Sequence, residues 1–237
     1  EAQGDYVAFL DDDNLPRANW LLEICRALSN HPQAAALSGR IRLLSESSIP
    51  SYVKPYLNFY AIVDRGNRAF RYDETPKKVM PPGAGLILRR SDAISLLKNG
   101  TLRLAGPVGQ GFHFKGEDIE LLIRLQSSGG QIWYCPDIVI DHALSPHRFT
   151  PEYLSSFLKA AARPRHYHRL LRYRRRWWLL ITLVFGANDF RHWLIHLLRY
   201  NDSLDWRLRY EFYRYLLISP LYTLHILTTS PPSLQMS

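Results

Sequence analysis

Tyr6 to Leu10 is an unbroken run of aromatic, β-branched and aliphatic residues that stops at three consecutive carboxylates, Asp11, Asp12 and Asp13. Such a run predicts a strand buried on both faces. Three adjacent acids repel one another, and a fold tolerates them most readily when a cation lies among them. In open α/β sheets, ligands bind at the C-terminal ends of strands. The stretch therefore predicts a divalent-metal or substrate site. A helix N-terminus is the competing account, since Asn14 and a helix-starting Pro16 follow. Acidic side chains there cap free N–H groups and favour the helix dipole. One Asp meets that need; three exceed it.

A chain of 237 residues has room for one large domain or a domain with an appendage, and 46% hydrophobic residues exclude a disordered chain. Cys25 and Cys135 lie far apart and form no metal-ligand pattern, which favours a reducing compartment. The opening EAQGD has no signal-peptide pattern and no initiator Met, and it enters the first strand at once, which reads as a cut. The net charge of +9 is concentrated in one place. Arg163 to Arg214 holds 12 arginines and no lysine against 4 acids, a net +8, so the rest of the chain sums to about +1.

Along the chain, Trp20, Leu21, Ile24, Cys25 and Leu28 recur at helical spacing within a helix over Arg17–Ser29. A strand follows over Ala34–Leu44, with Gly39 as a bulge or close backbone approach. Ser45–Lys78 reads as a loop-rich excursion with one short helix around Tyr56–Val63. Pro81-Pro82-Gly83-Ala84-Gly85 runs into apolar Leu86–Leu88, and Ser91 suits the N-cap of a helix over Asp92–Lys98. Gly106, Gly109, Gly111 and Gly116 mark a mobile loop that delivers the chain to a helix opening at Glu117-Asp118 and closed by Gly129-Gly130. A strand over Gln131–Ile140 ends at Asp141-His142. Beyond Thr150, aromatics and arginines alternate with leucines and predict helices only. Trp177–Ala187 is the longest uncharged apolar run, at 11 residues. A bilayer needs about 20. The division expected is therefore 1–150, an α/β catalytic part, and 151–237, a basic, aromatic-rich helical extension.

Three clusters could carry chemistry: Asp11–Asp13, Glu117-Asp118 and Asp141-His142. Each lies where a regular element starts or stops, so all three could converge on one rim of a sheet. Carboxylate oxygens with one imidazole suit Mn²⁺ or Mg²⁺ better than zinc. Asp118, opening a helix after a glycine-bearing loop, is placed for a general base. Taken alone, Glu117-Asp118 is better accounted for as helix N-terminal charge, and His142 as a hydrogen-bonded strand-end histidine; their coexistence with the triple Asp shifts the balance.

The order GDYVAFLDDDN, PPGAGLILRRS, GEDIELLIRL and, after a short strand, DHALSPHR resembles the family 2 glycosyltransferases of GT-A fold over roughly Gly4 to Arg148. These are inverting enzymes that move a sugar from a nucleotide-sugar to an acceptor. The resemblance implies a mixed sheet flanked by helices. It assigns Asp11, Asp12 and Asp13 to the nucleotide-sugar, with Asp11 on the ribose and base side and Asp13 on a Mn²⁺ or Mg²⁺ bridging the diphosphate. It makes Asp118 the base that deprotonates the acceptor hydroxyl, with Glu117 beside it, and lets His142 complete the metal shell. His147-Arg148 falls where a residue helps hold the diphosphate, and Gly83, Ala84 and Gly85 match the strand lining the sugar-binding floor. Family members begin with further βα units that hold the nucleotide base; these are missing, which implies an N-terminally truncated catalytic domain.

Two other classes compete. A haloacid-dehalogenase-like phosphatase also places Asp-x-Asp after its first strand, but it wants Thr or Val where Leu15 stands. A non-catalytic basic protein would use the arginine-rich third. Arginines interleaved with Trp, Leu and Tyr at helical spacing fit an anionic membrane surface, through 163–214, better than nucleic acid. Arg172, Arg174, Arg175 and Arg176 precede Trp177-Trp178 and the short apolar run, which describes a peripheral anchor on the cytoplasmic face near a lipid-linked or glycan acceptor. An ordinary core helix is the alternative for that run.

Overall fold

The computed structural model describes residues 3–45, 48–75, 79–98, 102–104 and 115–229, and the chain falls into two compact units. The sheet unit comprises Glu1–Ile49, Lys54–Thr101 and Leu121–Pro146. Its strands are β1 (Tyr6–Ala8), β2 (Asn14–Pro16), β3 (Ala34–Leu44), β4 (Phe70–Arg71), β5 (Ile87–Arg89) and β6 (Gln131–Ala143). They form one mixed sheet in the order β1-β5-β3-β6-β2, with β4 also paired to β6. The central pair β3 and β6 is parallel, while the other pairings are antiparallel.

Small and aliphatic residues at the start of β3 let both faces of the sheet be covered. Ala34, Ala35, Ala36 and Leu37 are all buried. On one face α1 (Trp20–Asn30) packs Trp20, Ile24 and Ala27 over Leu37, Ile41, Ile138 and Ile140. On the other, Leu122 and Leu125 of α3 (Glu117–Ser127) cover Ala36, Leu88, Ile132 and Tyr134. The short α2 (Arg90–Lys98) follows β5 directly. Gly39 is the close approach its position predicts. The β3–β6 register shifts between Ser38 and Arg40, and a Cβ on Gly39 would lie 1.8 Å from the Ile138 carbonyl oxygen.

Four expectations change. The first strand is not buried on both faces: β1 is an edge strand paired with β5, and Phe9 and Leu10 beyond it are exposed. Pro16 does not start a helix. It ends β2, also at an edge, where a missing N–H costs no ladder bond. Within α1, Leu21 and Cys25 face solvent, and Ala27 takes the inward position. The helix expected at Tyr56–Val63 is a 3₁₀ segment over Lys54–Tyr60, entered through Pro55. The glycine loop at 105–114 lies outside the described residues.

The helical unit comprises Pro50–Val53, Leu102–Glu120 and His147–Ser237. Its helices are α4 (Pro151–Ala162), α5 (Arg165–Leu171), α6 (Trp178–Leu198), α7 (Leu204–Leu217) and α8 (Ser219–Thr228). Thr150 and Ser203 cap α4 and α7 by accepting from Tyr153 N and Trp206 N, both at 3.3 Å. Pro151 begins α4, where its absent N–H is no loss. The apolar run seen in the sequence is only the first half of α6, a 21-residue helix that continues through Asp189 to Leu198. Among the described residues, no helix is long and apolar enough to cross a membrane.

Candidate functional site

The sheet unit brings two of the three clusters together. β2 runs antiparallel to the end of β6, with Asn14 opposite His142 and Leu15 opposite Asp141. Ala143 N donates to the Asp13 carbonyl at 2.8 Å, which locks the acidic turn onto the strand end. The Asp13 carboxylate then lies 3.3 Å from His142 Nε2 and accepts from Asn14 Nδ2 at 2.8 Å. His142 and Asn14 are buried, whereas Asp11 and Asp12 are exposed beside them. Asp141 points elsewhere and pairs with Arg17 at 3.4 Å.

Two buried atoms in this cluster have no hydrogen-bond partner, Asn14 Oδ1 and His142 Nδ1. Buried polar atoms are ordinarily paired, and an exception leaves room for a water, an ion or a ligand. Among the described residues, no three or more His, Cys, Asp or Glu side chains form a metal-holding group. Asp13 with His142 is the pair that could meet a cation here. That small set fits Mg²⁺ or Mn²⁺, whose remaining positions go to water and substrate phosphate oxygens, better than a metal that needs a full protein cage.

Gly83, Ala84 and Gly85 form a turn rather than a strand. Leu86 N donates to the Gly83 carbonyl at 3.1 Å, and Gly85 N to the Phe9 carbonyl at 3.0 Å. Gly85 has φ +65°, and a Cβ there would come within 2.8 Å of Ile140 Cδ1, so only glycine lets this turn approach β6.

The other expected site residues belong to the helical unit. Glu117 and Asp118 form the first turn of α3: Gly116 N donates to Glu117 Oε2 at 3.0 Å, and Ile119 N to Asp118 Oδ1 at 2.8 Å. Both carboxylates are half-buried. Beneath them lies Glu120, fully buried, which the sequence reading overlooked. Its carboxylate accepts from Arg103 N at 3.0 Å, Leu104 N at 2.8 Å and Tyr167 Oη at 2.6 Å. Three donors on one carboxylate tie residues 103–104, α3 and α5 together, so Glu120 positions the turn that carries Asp118. The 3.6-residue period carries the signal for it: Glu120 falls on the same helical stripe as the buried Ile123, three residues on.

Gly116, with φ +107°, completes the support, since a Cβ on it would lie 2.5 Å from His168 Cε1. Burial lowers the His168 pKa to about 3, assisted by Arg165, so the ring is neutral. Burial likewise lowers His166, to about 4. Arg148 and His147 lie in the 3₁₀ turn Pro146–Phe149; the His147 ring packs edge-on to Tyr153, 5.5 Å between centroids.

Comparison with known proteins now decides the class. The model of the glycosyl transferase family group 2 matches residues 6–233. The chain belongs to that family. Its mixed sheet with flanking helices is the GT-A-like α/β fold, and the match runs past Arg148 through the helical unit to residue 233. Pre-mycofactocin glycosyltransferases from two strains of Mycobacterium tuberculosis are each 30% identical over 145 residues, covering 58% of this chain and 27% of theirs. The chain thus spans about a quarter of the length of the curated relatives it matches. A glycosyltransferase family sets aside the phosphatase reading of Asp11–Asp13.

Proposed function

We propose that this glycosyltransferase moves a sugar, with inversion, from a nucleotide-diphosphate-sugar to a hydroxyl of a glycan or lipid-linked acceptor in cell-surface polysaccharide synthesis. The observation that carries the reading is the Asp13–His142 pair with the two partnerless buried atoms beside it. Asp13 and His142 would hold Mn²⁺ or Mg²⁺, and when bound the ion neutralises charge on the departing diphosphate. Asp11 and Asp12, exposed beside the pair, take the nucleoside side of the donor, and Arg148 the diphosphate. Gly83, Ala84 and Gly85 offer a backbone surface to the sugar.

Asp118 is the base. Inversion requires one group to take the acceptor proton as the hydroxyl attacks, and no carboxylate nucleophile. Glu117 stands next to it for acceptor contact. The pre-mycofactocin glycosyltransferases are a second guide to the acceptor, which would then resemble pre-mycofactocin rather than a glycan.

The basic segment 163–214 lies on an anionic membrane surface in this reading. The free thiols of Cys25 and Cys135 suit the cytoplasmic side. The test is donor binding and transfer with Mn²⁺ or Mg²⁺ across a panel of nucleotide-sugars. Asp13→Ala should abolish metal-dependent donor binding. Unchanged Mn²⁺ titration and donor affinity in that variant would remove the metal assignment.

A further inference from the structure

Helix α6 is built inside out. Thr182, Asp189, His192 and His196 lie on one side of it and turn into the helical unit, while Asn188 and Arg191 are exposed. Asp189 is buried and held by two guanidinium bonds from Arg169, one of them 3.0 Å long. Thr182 Oγ1 donates to the Trp178 carbonyl at 2.8 Å, so it accepts from His166 Nε2 at 3.0 Å. His192 stacks on Tyr213 with centroids 5.1 Å apart, and the His196 carbonyl accepts from Trp206 Nε1 at 2.8 Å.

The opposite face carries Leu179, Leu180, Leu183, Val184, Phe190 and Leu198, all exposed, with Leu179 at 74%, Leu183 at 62% and Leu198 at 76%. A surface helix in water shows the reverse arrangement. Helix α8 repeats part of it: Ser219 and Thr223 are buried and donate to the carbonyls of Leu216 in α7 and of Ser219, and Leu221 and Leu224 are outside, although Ile226 is buried. Polar-in, apolar-out is the sorting that a hydrocarbon solvent imposes.

We infer that the outward face of α6 is a lipid-contact surface that lies in the interfacial layer of an anionic bilayer. The inference rests on the membrane-surface reading of 163–214 and specifies which side chains enter the lipid. Charge selects the occupant. Arg174, Arg175 and Arg176 are exposed immediately before the helix, beside the half-exposed Trp177. A second copy of the chain brings the same positive charge and leaves the arginine run unneutralised, whereas anionic headgroups neutralise it. Trp177 suits the headgroup level, and Arg191, exposed on the same face as Leu180 and Val184, has a long apolar stem on which to hold its guanidinium there. The 21-residue helix lying flat buries one side and needs no crossing.

The experiment is flotation of the full chain with phosphatidylcholine vesicles containing phosphatidylglycerol, at low and high salt. The expected result is co-flotation that the double variant Leu179→Gln with Leu183→Gln weakens by on the order of 100-fold, about tenfold for each leucine kept from the lipid. Both side chains are mostly exposed, so circular dichroism and thermal melting of the variant should match the parent.

Three outcomes overturn the inference. The parent chain may fail to float at low salt. Flotation may survive the leucine pair and vanish only when Arg174, Arg175 and Arg176 are replaced by Gln, leaving headgroup attraction alone. The face may instead close a dimer, seen by sedimentation and lost in the leucine pair. Vesicle binding requires no donor. A chain that floats but transfers no sugar removes the catalytic reading alone, and one that transfers sugar without floating removes this one alone.

Discussion

In the sheet unit, the leucines of β3, α3 and the stretch around β5 that line the sheet are interior: Leu37, Leu86, Leu88, Leu122 and Leu125 are buried, while Leu10, Leu15, Leu21 and Leu22 lie exposed outside them. In helix α6 of the helical unit, leucine means exterior, and the interior positions are an aspartate, a threonine and histidines with assigned partners. Both units obey one rule, that buried polar groups are satisfied and apolar groups leave water. They differ in which solvent the outer surface is suited to. A sheet packed by helices on both faces needs only water outside. A helix that turns its hydrogen-bonding groups inward and its leucines outward is fitted to a medium that cannot bond them. In the function proposed above the two units also divide the tasks: the sheet unit holds the carboxylates proposed for donor and metal, and the helical unit holds Asp118, proposed as the base.

That division of tasks predicts the largest effect. Asp118→Asn should leave donor affinity intact and lower transfer by about 10² to 10⁴, the usual worth of a general base. A loss confined to donor affinity, with turnover preserved at saturation, would assign Asp118 to binding instead. The contrast in leucines comes next. Leu37→Ala, in the sheet core, should cost about 2 to 5 kcal/mol in urea unfolding. If Leu37→Ala proves neutral, the sheet unit is not organised around β3.

Acid separates the two units differently. His166 and His168 are neutral in the fold because burial lowers them to about 4 and about 3, from an ordinary value of 6.5. The unfolded chain binds those protons first as pH drops. The stability they contribute is therefore complete above pH 6.5 and declines towards pH 4, by about 1.4 kcal/mol per pH unit for each histidine. Hydrogen exchange at pH 5 should show α5 losing protection while β3 and β6 keep theirs. Equal loss in both would place the acid-sensitive groups elsewhere.

Glu120→Gln should cost about 1 to 3 kcal/mol, since the amide accepts on one atom where the carboxylate accepts on two. It should also lower kcat with little change in donor affinity if Glu120 acts through the turn bearing Asp118; a pure stability loss with kcat intact would make Glu120 only a strut. The smallest effect is the most direct test of the reversed helix. Leu183→Gln in the absence of lipid should change stability by no more than about 0.5 kcal/mol. A loss comparable to that of Leu37→Ala would show that Leu183 is covered after all.

Much of this was legible from residues alone. The run of acids after Tyr6–Leu10, the strand at Ala34–Leu44, the close approach at Gly39 and the helix opening at Glu117 follow from local rules of periodicity, charge and backbone freedom. Those rules depend on neighbours in the chain. What they could not reach depends on neighbours in space. Whether Tyr6–Leu10 is central or at an edge is decided by which strands flank it. Whether Asp141 or Asn14 joins His142 is decided by the β2–β6 register, because one residue of shift turns every side chain to the other face. Glu120 reads as one more acid on a charged first turn until Arg103, Leu104 and Tyr167 close over it. In α6 the apolar and polar stripes are both written in the sequence, at the same period. Only the partners that Asp189 and Thr182 find in the helical unit determine which stripe faces inward, since burial without those hydrogen bonds would cost more than exposing the leucines.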